Sequence, residues 1–376
     1  MIKPATGRLS VVIFEYIRTA SFRNLGDQEV FTGGKDIFLV GENGQGKTNF
    51  LEALYFSSYA SSFRGARDGE LICTGKKSYA VQAGTSSKAG SLKREILIKY
   101  QGGKKTIQID GKGLEDRKDL LSVIPCIVFC HEDMEFVSGS PEQRRWFFDQ
   151  SLSLYDPVYL DDLRRYRKVL KTRNLLLREK PFPPGGAALL DALDPQIALY
   201  GLKLMEKRED AAGLFSGLFG SLYGEVSGID GITVRYAPSW KADSLEGISA
   251  SLAERREADI AAGLSLSGPH RDRYIFSRGN AEFAGKASTG QRRLLALLLR
   301  VAQAGRYSGA TGKNPVLLLD DVLLEMDGEK RRKFLSVMPG YDQAFFTFLP
   351  EEPYEHYRGE DTLVYRVADG CLSEGI

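Results

Sequence analysis

Histidine and cysteine are scarce in this chain of 376 residues, which has three of the first (His131, His270, His356) and four of the second (Cys73, Cys126, Cys130, Cys371). Ligands so few and so scattered fit neither a zinc cluster nor the disulfide framework of a secreted domain. Cys126 and Cys130 lie in an apolar run and read as buried thiols. Long hydrophobic runs are missing too, which excludes a transmembrane helix. The first ten residues lack the basic and then apolar layout of a signal peptide. The expectation is a cytoplasmic protein with no membrane partner. Net charge is also nearly absent: 51 Lys and Arg stand against 49 Asp and Glu, leaving +2. That excludes a polycationic tail but not a local basic face.

What is present is apolar substance and β/α patterning. Hydrophobic residues make up 43% of the chain, enough for two or three domains without staples. Short apolar runs at 11–17, 37–40, 80–83, 96–100 and 106–109 read as strands, the last two joined at Gly102-Gly103 as a hairpin. Residues 47–60 read as a helix. Ser140-Pro141-Glu142-Gln143 carries an N-cap, a first-turn proline and a capping-box glutamine. Helical pattern follows, broken near Pro157 and at 181–186. Asp194-Pro195 is expected to start the next long helix, running to about 224, and 244–262 reads as another. Tyr274-Ile275-Phe276 returns to strand, and Val316 to Leu319 has the unbroken apolarity of a parallel strand buried on both faces. The expected fold is α/β: one domain built from 1–125 and 264–376, split by an inserted, mostly helical arm over 126–263.

Chemistry enters at Gly41-Glu42-Asn43-Gly44-Gln45-Gly46-Lys47-Thr48, which matches G-x-x-x-x-G-K-[ST] between a strand and a helix. Glycines let the backbone curl so that its N–H groups face a phosphate, and the following helix adds its positive end. Lys47 is expected on the β- and γ-phosphates of ATP and Thr48 on Mg²⁺. Asp320 and Asp321 close a buried strand. Asp320 is the second expected ligand of Mg²⁺, and Asp321 would polarise the attacking water. Lys47, Asp320 and Asp321 are thus the expected catalytic residues. Ser288-Thr289-Gly290-Gln291 opens a helix and reads either as an anion site or as a simple capping box.

Charge has one local concentration. Residues 164–178 hold seven basic side chains and no acidic one. Arg164, Arg167, Lys168, Lys171 and Arg178 fall broadly along one side of a helix, either a phosphate-contacting stripe or a solvated face. Arg64 and Arg67 are a second candidate for DNA. Arg144 and Arg145 would contact DNA or pair with Asp149. His270 reads as a structural hydrogen-bonder near the nucleotide. Glu132 and Asp133 are candidates for the nucleotide site's edge.

Together these strings resemble the ATP-binding-cassette class of ATPases, and more narrowly the RecF family of recombination mediators. The likeness rests on residues 41–53, Ser62-Phe63-Arg64 with Arg67-Asp68, Ser140-Pro141 with Arg144-Arg145, and Gly268-Pro269-His270-Arg271-Asp272. The chain departs from the family pattern at Thr289, Arg273 and Leu324, and in 345–349 only Thr347 resembles a threonine pair. The resemblance implies that Ser288, Gly290 and Gln291 meet the γ-phosphate held by a second protomer's phosphate loop, which runs through Asn49. Asp327 is implied at the interface of that ATP-induced homodimer. It further implies duplex, gapped and single-stranded DNA as partners, together with RecO- and RecR-like proteins. The implied work is recombinase loading in gap repair and replication restart, with weak, DNA-stimulated ATP hydrolysis for release. The alternatives are a chromosome-structuring head or the ATPase of a transporter. The 272 residues separating Thr48 from Asp320 and the helical insert argue against the transporter, and an insert too short for long heptad arrays argues against the chromosome-structuring head.

Overall fold

The structure, a computed structural model, describes residues 12–87, 93–323, 326 and 328–375. The chain divides into two compact units, 1–133 with 303–376, and 134–302. The first is therefore assembled from both ends of the chain.

Two six-stranded sheets, counted among the described residues, make up the first unit. One runs Cys371–Glu374, Thr362–Ala368, Asp36–Val40, Ala344–Phe348, Val316–Leu319, Cys126–Phe129, and is parallel except for the hairpin partner Cys371–Glu374. Its central strands are almost wholly buried, as their continuous apolarity requires. The other sheet is antiparallel and contains the hairpin Lys93–Gln101 and Lys104–Ile109. Gly102 and Gly103 at its turn have φ 58° and 78°, the left-handed pair that a tight two-residue hairpin needs. The helix Lys47–Tyr59 joins a core with both sheets through Phe50, Leu51, Leu54 and Phe56. Buried Gln343 ties the sheets together. It accepts from Phe14 N–H at 2.8 Å and donates to the carbonyls of Phe14 and Thr32.

The second unit is mostly helical. Pro141–Ser153 begins at Ser140 with the full expected capping box, and Pro157–Arg178 begins at Asp156, whose carboxylate accepts from Tyr159 N–H. The next helix runs from Gly186 to Ser227, so Pro195 lies inside it instead of at its start. Left-handed Gly185 (φ 77°) begins it early, and the added turns place Leu190 and Leu193 against Leu176 and Leu177. That burial offsets the hydrogen bond an internal proline removes.

The units differ from the expected boundaries at 126 and 263. Cys126–Phe129 pairs in parallel with Val316–Leu319 and so belongs with the parallel sheet of the first unit. Arg273–Arg278 pairs with Ile232–Ala237, a strand lying between the two expected helical stretches, which places it in the arm unit. The division then falls inside the helix Thr289–Thr311, between Ala302 and Gln303.

Candidate functional site

The phosphate loop follows the strand Asp36–Val40, and Gly41 N–H continues the ladder to Phe348 O at 3.1 Å. A Cβ on Gly41 would lie 2.3 Å from Val367 O, so only glycine lets the loop leave this sheet. Gly44 and Gly46 take φ 80° and 114°. No side chain caps the helix at Gly46, which leaves its first amides for an anion. Lys47 is buried and its Nζ donates to the carbonyls of Gly41 (2.5 Å) and Glu42 (3.2 Å), across the loop's concavity. A cleft of about 260 Å³ is lined by Glu42, Asn43, Lys47, Thr48, Arg64 and Asp321, among others.

Neighbouring segments hold the loop's shape. Gln45 accepts from Asp369 N–H and Gly370 N–H, and Asn24 donates to Gly44 O at 3.1 Å. Asn49 bridges Asn24 to the Arg64 guanidinium, which donates to Asn49 Oδ1 at 3.0 Å. Arg64 thus belongs to the wall of this cleft, and Arg67 is exposed shortly after it.

The acidic pair comes from the strand two places away in the same sheet. Thr48 Oγ1 donates to Asp320 Oδ1 at 2.9 Å. Asp321 has a left-handed backbone (φ 51°), and its N–H donates to Thr347 Oγ1 at 2.7 Å. The Thr347 hydroxyl lies 2.9 Å from Asp321 Oδ1 and 3.4 Å from Asp320 Oδ1. Thr347 is therefore the hub of the pair, a role that one threonine in a strand does not announce. Burial, then the charge of Asp321, raise the Asp320 carboxyl to about 7, and Glu132 adds to the rise while Thr48 opposes it. Asp133 turns inward instead, accepting from Cys130 N–H at 3.0 Å.

Crowded carboxylates beside a hydroxyl form a donor set short of positive charge, which fits a divalent cation. Among the described residues, no three His, Cys, Asp or Glu side chains form a self-sufficient metal cage. Mg²⁺ needs none, because it takes one or two protein oxygens and fills its shell with phosphate and water.

Comparison with known proteins agrees with this geometry. The family model described as RecF/RecN/SMC N terminal domain matches residues 13–362. The DNA replication and repair protein RecF of Treponema pallidum (strain Nichols) is 45% identical over 354 residues, covering 94% of this chain and 99% of that one. The chain belongs to the RecF family. The Bacillus subtilis (strain 168) RecF is 30% identical over 95% of this chain and 98% of its own. Among solved structures, the recombination mediator RecF with ATP, of the RecFOR pathway, superposes with a TM-score of 0.90 at 26% identity, covering 99% and 100% of the two chains. An Smc head bound to part of ScpA shares the fold at a TM-score of 0.56 and 15% identity.

The remaining RecF-like motifs lie in the arm unit. Ser288 and Gln291 form a reciprocal capping box, Ser288 N–H to Gln291 Oε1 at 2.8 Å and Gln291 N–H to Ser288 Oγ at 3.3 Å. Ser288, Thr289 and Gly290 stay exposed, so the cap leaves the serine hydroxyl hydrogen for an outside acceptor. Asp327, with Leu324 and Glu325, lies outside the described residues.

Gly268 to Asp272 builds the arm's core. Gly268 has φ 125°, and a Cβ there would meet the Tyr166 hydroxyl at 2.7 Å. Buried Asp272 accepts from Arg208, from the Tyr236 hydroxyl and from Ser239 N–H. Tyr166 OH lies 2.8 Å from His270 Nδ1, and Nε2 lies 3.0 Å from Ser265 O. That pattern fixes the tautomer with Nε2–H, and burial lowers the imidazole to about 4. His270 is a structural hydrogen-bonder.

The basic helix is more mixed than its sequence. Arg164, Lys168 and Lys171 are exposed, and Arg164 lies 3.8 Å from Asp161. Arg167 leans on Asp149 at 3.2 Å. Arg173 is internal and bridges Asp194 and Asp259. Arg144 and Arg145 do not take Asp149 as a partner. They donate to the carbonyls of Tyr274 and Asp272, because Arg208 occupies Asp149 at 2.8 Å. Arg208 escaped the sequence reading because its partners lie 59 and 64 residues away.

Proposed function

We propose that this protein is an ATP-dependent DNA-binding protein of recombinational gap repair and replication restart. The observation that carries the nucleotide half is the 2.9 Å contact from Thr48 to Asp320 at the foot of the phosphate loop. It joins the triphosphate cradle to an acidic strand end, the pairing on which ATP hydrolysis depends. Support also comes from the likeness to a RecF structure with ATP.

The proposed roles follow from position. Loop amides 41–46 and those of Lys47, Thr48 and Asn49 cradle phosphate. Lys47 turns from its loop carbonyls onto the β- and γ-phosphates. Thr48 and Asp320 hold Mg²⁺, which when bound offsets phosphate charge. Asp321, oriented by Thr347, accepts a hydrogen bond from the attacking water. Ser288, Gly290 and Gln291, with Asp327, cap the nucleotide of a second protomer, so that ATP closes a homodimer. Arg164, Arg167, Lys168 and Lys171 contact DNA phosphates, and Arg67 adds to them. Hydrolysis is slow and serves release. RecO- and RecR-like proteins are the proposed partners in loading recombinase, consistent with the RecFOR pathway of the structural relative.

The test is binding to gapped, duplex and single-stranded DNA with and without ATP. The reading expects ATP to strengthen binding to gapped DNA and DNA to speed ATP turnover. DNA binding indifferent to ATP, with turnover indifferent to DNA, overturns it.

A further inference from the structure

The arm unit contains a cleft of about 550 Å³ that the ATPase reading leaves without a task. Its chemistry is lopsided. At its floor Arg208 spans Asp149 and Asp272, and Arg167 shares Asp149, so both carboxylates are already taken. Arg145, Arg178 and Arg271 also line the cleft, and none of the three forms an ion pair among the described residues. Glu142 is the other carboxylate in the wall. Burial, and then the charge of Arg208, lower the Arg145 guanidinium from its usual range, opposed only in part by Glu142, Asp272 and Asp149, and a bound anion would oppose the shift further. Neutral His270 in the same wall adds no charge of its own.

The opposite character is present beside it. Leu163 and Leu170 give the cleft an apolar side, and Trp146 stands at it. Phe136 stacks on the indole with centroids 5.5 Å apart, yet Trp146 stays 42% exposed. Guanidinium forks without a carboxylate partner, Arg145 giving one of its donors to the Asp272 carbonyl, stand beside an exposed indole and suit one kind of ligand, a phosphate joined to a flat ring. A phosphate monoester carries about −1.5 to −2 at neutral pH, which matches several guanidiniums better than a backbone diester does. The volume lies within the roughly 300–1,000 Å³ of small-ligand sites.

We propose that this cleft binds a nucleotide bearing a terminal phosphomonoester, with the phosphate on Arg145, Arg178 and Arg271 and the base against Trp146. The same chemistry comes from two sources, a free mononucleotide or the phosphorylated end of a DNA strand. Arg167 and Arg178 lie on the helix that carries Lys168 and Lys171, so a strand tracking those lysines reaches the cleft at its end.

Trp146 gives the test its signal, since the chain's other tryptophan, Trp240, is buried. Indole fluorescence is followed while the full chain is titrated with dTMP and with oligothymidylate that is 5′-phosphorylated, 3′-phosphorylated or unphosphorylated. The proposal expects at least one phosphorylated ligand to quench Trp146 and to bind about tenfold or more tighter than the unphosphorylated oligonucleotide. The ligand that does so names the source. Trp146→Phe should remove the signal, and Arg178→Gln with Arg271→Gln should remove the phosphate preference while the melting curve stays unchanged. Equal binding with and without the phosphate, no quenching by any ligand, or a preference that survives in the folded double variant overturns it. The comparison of ligands on the unaltered chain stands even if a variant fails to fold.

Discussion

Thr347→Val offers the sharpest probe of the ATP site. The two side chains have nearly the same shape, and valine suits the buried strand Ala344–Phe348. What changes is one hydroxyl, which accepts from Asp321 N–H at 2.7 Å and lies 2.9 Å from its carboxylate. Asp321 keeps a left-handed backbone only while its surroundings hold it there. A hydrogen bond to a charged group contributes about 1.5–3 kcal/mol, so its loss in a pre-positioned site corresponds to roughly 10- to 150-fold in rate. The expected result is a kcat lower by about that factor, with ATP affinity within about threefold, because the phosphate loop is untouched. Steady-state turnover and equilibrium binding of a fluorescent ATP analogue separate the two. Thr347→Ser should recover most of the rate. A variant with full kcat, or one in which binding fails along with turnover, would refute the assignment of Thr347 as the residue that positions Asp321.

Other expectations can be checked alongside. Gly46 has φ 114°, so Gly46→Ala should lower ATP affinity by about fivefold or more through strain of about 1–3 kcal/mol, measured by titration calorimetry. His270 falls from its usual 6.5 to about 4 in the fold. The unfolded chain therefore binds the extra proton first, and stability is lost as pH falls from 6.5 towards 4, by on the order of 3 kcal/mol. Denaturant unfolding across that range should show the slope, and His270→Gln should flatten it. Lys168 and Lys171 are exposed, and replacing both by alanine should reduce the slope of log K against log salt for DNA binding by about two units. An unchanged slope leaves them as a solvated face.

Local features were the legible ones. The phosphate loop, the acidic strand end and the Ser140 capping box each lie within a few residues, where spacing and residue type speak directly. The RecF likeness was readable from the same short strings. Sheet order was not, because the strands beside Asp36–Val40 come from positions 344–348 and 362–368. Thr347 reaches Asp321 across that distant pairing, so its task appears only when the sheet is assembled. The arm boundary moved for a similar reason. Ile232–Ala237 alternates as a strand does, but nothing in its own sequence names Arg273–Arg278 as its distant partner. Seven basic residues in a row of fifteen looked uniform, yet Arg173 turned inward to two aspartates from other helices. Arg64, itself exposed, reaches back to the phosphate loop through Asn49, a contact its position in the sequence does not signal.

The central claim is that nucleotide at Lys47 and Thr48 drives two copies together. Sedimentation velocity with Mg²⁺, comparing ATP, ADP and no nucleotide, tests it most directly. The account predicts a dimer with ATP that reverts with ADP, strengthened further by DNA, and weakened when an exposed bulky charge is added by Ser288→Arg. A monomer under every nucleotide condition, at concentrations where ATP is bound, would contradict it.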